Sequence, residues 1–223
     1  MNTKPRKSKR MEAALRRMFG LMAARYGPTG WWPGDSAFEI AVGAILTQNT
    51  AWTNVEKAIA NLDRAGLLDP AALLVATPEA LEAAMRPSGY YRQKAQRVRL
   101  FCEYLRDRHN GVMEGMAETP TETLRAELLA LNGIGPETAD DILLYACGRP
   151  VFVVDAYTRR ILSRHGVAPF ETPYETLRAM FEVNLGPDTE LFREFHGLIV
   201  WTGKDFCRSR PQCRGCPLAP LLK

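Results

Sequence analysis

Asp155 is the residue whose setting first suggests chemistry. It follows the apolar run Pro150-Val151-Phe152-Val153-Val154 and precedes Ala156-Tyr157-Thr158-Arg159-Arg160, which reads as the start of a helix. A carboxylate there is partly withdrawn from water, yet it has helix amides to keep it ionised. Such a group can orient a water molecule or face a growing positive charge. It can equally serve as a plain N-cap. Upstream, Leu131-Asn132-Gly133-Ile134-Gly135-Pro136-Glu137-Thr138-Ala139-Asp140 closes one amphipathic helix and opens another. Glycine at 133 and 135 permits a tight turn and removes side chains that would keep another molecule from the backbone, so the next helix can turn its amides to an anion. Ile134 between them is expected to plug the turn into the core. An ordinary interhelical turn is the alternative.

Three of the five cysteines, Cys207, Cys213 and Cys216, crowd into the last 17 residues. That spacing suits metal binding in a reducing compartment better than a disulfide framework. Cys102 and Cys147 fall in apolar helical stretches and are expected in the core. His109 and His165 lie next to helix ends and are expected at the surface; His196, in Phe195-His196-Gly197-Leu198, is read as a core histidine. The order and spacing of a Ser-His-Asp site or a phosphate-binding G-x-x-x-x-G-K are absent.

These residues need a scaffold, and the periodicity is helical nearly throughout, so the fold class is all-α. Three S/T-x-x-E patterns mark helix starts: Ser36 to Glu39, Thr119 to Glu122 and Thr172 to Glu175, the last two with proline at the expected first helical position. Leu124, Leu128 and Leu131 then recur on one helical stripe. The division expected is a basic, disordered tail over residues 1–10, a central helical subdomain over 36–135 ending in the hairpin, and a second subdomain made of 11–35 plus 136–223 with the cysteine-rich segment. Two helical subdomains joined in this way leave a cleft, where ligands usually bind. The 223 residues carry a net charge of +4. The basic residues cluster at the N-terminus (Lys4 to Arg10), at Arg92, Lys94, Arg97 and Arg99, and from Lys204 to Lys223. Such clusters are compatible with phosphate contacts and equally with solvated helix faces. No stretch approaches the roughly 20 apolar residues that span a bilayer, so the expected compartment is the cytoplasm, with no membrane partner.

The pattern hydrophobic-x-G-I-G-x-x-T-A-D, followed at this distance by V-D-x-x-x-x-R-I, resembles the helix-hairpin-helix glycosylases of the endonuclease III superfamily. Val42-Gly43-Ala44-Ile45-Leu46-Thr47-Gln48-Asn49-Thr50 is similar to that family's early helix end, and Gly89-Tyr90-Tyr91-Arg92-Gln93-Lys94-Ala95 to its second DNA-facing loop. The resemblance covers nearly the whole chain and implies an endonuclease III-like fold with a base-accepting cleft. It makes Asp155 catalytic and Gln48 a wedge in the DNA stack opposite the loop at Ser88. Gly133, Ile134, Gly135, Ser88, Arg92 and Lys94 become DNA contacts, and the carbonyls of Leu129, Leu131 and Ile134 a seat for a monovalent cation. The partner implied is double-stranded DNA with a damaged base, met by a monomer associated with the nucleoid.

Where bifunctional members carry a nucleophilic lysine, this sequence has Glu137, and a carboxylate cannot form the Schiff base that an amine forms with the sugar. Cleavage through that position is excluded, so the resemblance implies a monofunctional N-glycosylase with water as nucleophile. Trp31-Trp32-Pro33, Trp52 after Gln48-Asn49-Thr50, and Glu137 are similar to the 3-methyladenine glycosylase III branch. An alkylated purine such as 3-methyladenine is therefore the expected base, held by cation-π stacking. Tryptophans packing as core and rim are the alternative. Lys204 matches a pocket lysine of that branch and is expected to be paired, neutral or carbamylated; the alternative is a surface lysine paired with Asp205. A glycosylase/lyase for oxidised or mismatched bases, or a helix-hairpin-helix module that only binds DNA, stay open as other readings. Many relatives hold a 4Fe-4S cluster on C-x6-C-x2-C-x5-C. Here the spacing is Cys207-x5-Cys213-x2-Cys216 with Leu222 in the fourth place. The trio could hold a labile cluster, a zinc ion completed from outside, or nothing; a remnant is the leading expectation, and no cofactor is expected to be required.

Overall fold

The structure is a computed structural model and describes residues 7–222. Among these residues the chain is helical with no strand, as the periodicity predicts. No helix among the described residues is long and apolar enough to cross a membrane. Lys4 and Arg6 of the expected tail lie outside the described residues. Lys9 and Arg10 do not belong to a tail: they open α1 (Lys9–Tyr26), capped by the Ser8 hydroxyl.

The chain divides into two compact units, Pro33–Arg149 and the remainder on either side of it. The division falls after the hairpin's second helix, where the sequence reading placed it at 135. The reason is packing. Both hairpin helices, α7 (Thr121–Ala130) and α8 (Pro136–Asp141), rest on each other, and α8 and the π-turn that continues it (Ile142–Ala146) rest on α2 (Ala37–Leu46).

In the central unit, α2 is apolar nearly all round and buries Phe38, Ala41, Val42, Ala44, Ile45 and Leu46, the pattern of a central helix. The Ser36 hydroxyl caps it by accepting the Glu39 amide at 3.1 Å, while the Glu39 carboxylate reaches back to the Asp35 amide. Around it lie α3 (Trp52–Arg64), the short α4 (Pro70–Val75) and α5 (Pro78–Met85), and α6 (Tyr91–Arg108). The expected Thr119 cap is displaced by one position. Pro120 is itself extended (ψ 143°) and becomes the residue before α7. Pro173 does the same before α10 (Tyr174–Leu185). In both cases the threonine hydroxyl is one residue too far back to cap.

The other unit packs α1 against α10 and α11 (Thr189–Asp205), and α9 (Ala156–Arg164) against α11. Its core is aromatic: Phe152 stacks on Phe181 at 3.7 Å and meets Phe192 and Phe195 edge-on. The run Val151–Val154 is buried and belongs to neither helix nor sheet. Side chains satisfy its amides instead, Phe152 N–H donating to Glu182 and Val154 N–H to the Tyr174 hydroxyl. This anchored strap delivers Asp155 to the head of α9.

Candidate active site and hairpin

Asp155 is the N-cap of α9 and is buried. Its Oδ1 accepts the Thr158 amide at 2.7 Å and the Thr158 hydroxyl at 2.8 Å. Its Oδ2 faces Nε2 of His196 at 3.8 Å, too long for a formed hydrogen bond but close enough for the two groups to interact electrostatically. Burial pushes this carboxyl toward protonation, and the imidazole together with the two Thr158 donors outweighs it, holding the group below the ordinary aspartate range. His196 is therefore a core histidine with a specific neighbour. His196 and Asp155 are 41 positions apart, so the sequence carries no local signal for that pairing.

The same unit brings together other residues singled out in the sequence. The Lys204 ammonium sits 4.9 Å above the Trp31 ring, and Trp31 lies against Trp32. Lys204 is exposed. Asp205 instead accepts from the Tyr26 hydroxyl at 3.0 Å. Tyr157, two residues after Asp155, lies on Gly203: a Cβ there would come within 2.2 Å of the ring, so only glycine fits under it.

In the central unit the hairpin is a tight turn. Gly133 has φ +87° and a Cβ would strike the Arg97 guanidinium, whereas Gly135 has φ −93° from its place before α8 and open space around it. Ile134 is buried, and its amide donates to Leu131 O at 3.0 Å. Glu137 is exposed and Trp52 half-buried at the first position of α3. Gln48 lies against the hairpin: its amide donates to Gly133 O and the Thr138 hydroxyl, and Arg97 donates to its carbonyl. Behind the turn, Arg125 makes a paired contact with buried Asp140, at 2.6 and 3.1 Å.

Several expectations need correction. Lys94 is buried and donates to Leu46 O at 2.8 Å and Ser88 O at 2.6 Å, so its ammonium is consumed inside the fold and cannot reach a phosphate. The Ser88 side chain is also buried, donating to Met85 O. Arg99 closes the carbonyl end of α4 through Leu74 and Ala76. Of the mid-chain basic cluster, only Arg92 is exposed, beside Glu82. His109 is buried rather than at the surface, its ring bonded to Gly115 O and the Tyr104 hydroxyl.

The three C-terminal cysteines line one small cavity with Arg164, His165 and Leu222. Cys207 is buried with the Arg164 guanidinium on its sulfur at 3.2 Å; Cys213 is exposed and Cys216 half-buried. Among the described residues no three Cys, His, Asp or Glu side chains are gathered to hold a metal ion. With an aliphatic side chain in the fourth place and a guanidinium on the first sulfur, these residues do not fit a four-thiolate cluster.

A family model for the HhH-GPD superfamily of base excision DNA repair proteins matches residues 42–185. The chain belongs to the HhH-GPD superfamily. A protein of Methanocaldococcus jannaschii named as a DNA repair glycosylase is 44% identical over 204 residues, covering 91% of this chain and 92% of that one. Among solved structures, Helicobacter pylori 3-methyladenine DNA glycosylase (MagIII) bound to 1,N6-ethenoadenine is similar with TM-score 0.75 and 30% identity, covering 87% of this chain and 97% of that one. An endonuclease III in a non-covalent DNA complex aligns with TM-score 0.79 and 25% identity over 95% of each chain. The HhH-GPD chain described here is thus a DNA glycosylase of base excision repair with an endonuclease III-like fold.

Proposed function

We propose that this glycosylase is monofunctional and releases alkylated purines, 3-methyladenine foremost, from duplex DNA. The observation that carries the reading is Glu137, an exposed carboxylate just inside α8 where a lyase of this family presents an amine. Without an amine there, water is the nucleophile and the product is an intact strand with an abasic site. Asp155 is the proposed catalytic group. Ionised despite its burial, it can orient the water and face the positive charge that grows on the deoxyribose as the bond breaks.

The base class is supported by Trp31, whose ring already carries a cation, the Lys204 ammonium. A purine alkylated at N3 is itself cationic and a good leaving group, so a stacking site of this kind can select it without protonating it. Trp31, Trp32 and Lys204, on the unit that bears Asp155, and Pro33, at the start of the central unit, are the proposed contacts to the flipped base. On the central unit, Trp52, Gln48, Gly133, Gly135 and Arg92 are the proposed DNA-facing groups. The similarity to the H. pylori protein, a 3-methyladenine DNA glycosylase, supports the same choice.

The test is base release from methylated duplex DNA by wild type and Asp155→Asn, with products separated by chromatography and strands checked before alkali. Wild type should release 3-methyladenine and leave strands intact until alkali, and the variant should lose about 10²- to 10⁴-fold in rate. Nicking without alkali that disappears in Lys204→Met would favour a lyase for other damaged bases acting through the exposed Lys204 amine.

A further inference from the structure

The two oxygens of Asp155 have different surroundings. Oδ1 is tied to the helix it caps by the Thr158 amide and hydroxyl. Oδ2 faces the His196 imidazole, itself 3% exposed. The position of that ring is fixed from both sides. Phe195 before it is locked into the aromatic cluster with Phe152, Phe181 and Phe19. Gly197 after it lies so close to Thr29 and Trp31 that a Cβ would come within 2.6 Å of the Thr29 hydroxyl. Glu194 pins the same segment by accepting the Thr29 amide and hydroxyl. His196 and Gly203 are seven residues apart, two turns, so they share one stripe of α11; Gly203 receives Tyr157 of α9 just as His196 receives Asp155.

We propose that His196 is a positioning residue for base release, presenting Nε2 to Oδ2 so that the Asp155 carboxylate stays charged and fixed in orientation. The inference rests on the reading of Asp155 as the catalytic group. Charged and titratable groups on the elements around the pair have partners of their own. On α9, Arg159 donates to Thr172 O and Arg160 to Cys207 O. On α10, the Tyr174 hydroxyl takes the Val154 amide, and Glu182 takes that of Phe152. On α11, Glu194 holds Thr29 and Lys204 lies over Trp31. An apolar residue at 196 would leave burial opposed by Thr158 alone, and the carboxyl would take up a proton at higher pH.

Single-turnover base release from methylated duplex DNA, measured from pH 5 to 9 on wild type, His196→Leu, His196→Gln and His196→Asn, tests the inference. His196→Leu should slow release on the order of tenfold or more and move its acid limb to higher pH, since each unit of upward shift costs tenfold in ionised carboxylate below the pKa. DNA affinity should stay as in wild type. Glutamine, whose amide reaches the place of Nε2, should recover most of the rate, and asparagine, which reaches only as far as Nδ1, should not. A folded His196→Leu with the wild-type rate and pH profile overturns the proposal. Should the leucine variant fail to fold, the glutamine and asparagine variants decide: equal rates overturn it, faster glutamine supports it. Carbon-13 titration of the Asp155 carboxyl, which needs no substrate, should show it protonating at higher pH in His196→Asn than in wild type; an unchanged titration counts against the proposal. An Asp155→Asn enzyme as fast as wild type would instead remove the underlying reading.

Discussion

Two buried aspartates lie fifteen positions apart, Asp140 in the hairpin of the central unit and Asp155 at the head of α9 in the other. Asp140 has no exposed surface, and both of its oxygens receive the Arg125 guanidinium. Its charge is cancelled where it sits. Asp155 is nearly as buried, but it has a helix amide and a hydroxyl as donors and an imidazole facing it at 3.8 Å. Those keep the carboxyl ionised without consuming it. A guanidinium fork suits a carboxylate whose task is to bind α7 to α8. Weaker, one-sided donors suit a carboxylate that must still answer to a cation or a proton during a reaction.

Exchanging each aspartate for asparagine should separate the two roles most sharply. Asparagine caps helices as well as aspartate does, so Asp155→Asn should melt close to wild type while losing about 10²- to 10⁴-fold in base release. Asp140→Asn leaves the Arg125 guanidinium buried against a neutral amide, a loss of about 3–5 kcal/mol. Denaturant melts should show that loss, with near-normal turnover per folded molecule at low temperature. If the two variants behaved alike in both assays, the distinction between a spent carboxylate and a chemically available one would fail.

Lys94 sharpens the comparison from the cationic side. Burial first, and the Arg97 charge second, push its pKa down to about 8. Its ammonium ties the carbonyl end of α2 to the loop at Ser88, the two segments expected to meet DNA. Lys94→Met strands two carbonyls and should cost about 1–3 kcal/mol, read as a lower melting midpoint together with weaker DNA binding. The sign of the pH effect follows from the depressed value. Between about 8 and 10.5 the unfolded chain holds the proton more firmly, so this lysine's contribution to stability rises with pH across that window. The methionine variant should lack that rise.

Much of the scaffold was legible because helices repeat locally. The stripe Leu124, Leu128, the Ser36 cap and the glycine pair around Ile134 all speak through neighbours within four residues or so. The cap at Asp155 is of the same kind, with Thr158 three residues on. What stayed hidden depends on partners far along the chain. Lys94 and Ser88 look like surface residues beside a loop, and only the carbonyls brought to them by α2 and the 85–89 turn show them to be internal ties. Arg97 reads as a phosphate contact until Gly133 and Gln48 are seen beneath it. His196 reads as core because the residues around it on α11 are apolar; the aspartate that gives it meaning comes from another helix.

The smallest expected effect on stability comes from the hairpin's second glycine, and it tests the hairpin on its own. Gly133 needs to be glycine for internal reasons, with φ +87° and Arg97 in the space a Cβ would take. Gly133→Ala should therefore destabilise by about 1–3 kcal/mol before DNA enters the question. Gly135 has no such reason: its φ is −93° and nothing lies within 4 Å of an added Cβ. Gly135→Ala should stay within about 0.5 kcal/mol of wild type in a denaturant melt. Its proposed use lies outside the chain, in the approach of a phosphate to the bare backbone ahead of α8, and on that proposal the methyl group should weaken binding to duplex DNA several-fold with little change in the melt. An alanine variant that binds DNA as wild type does would leave that backbone without the role proposed for it.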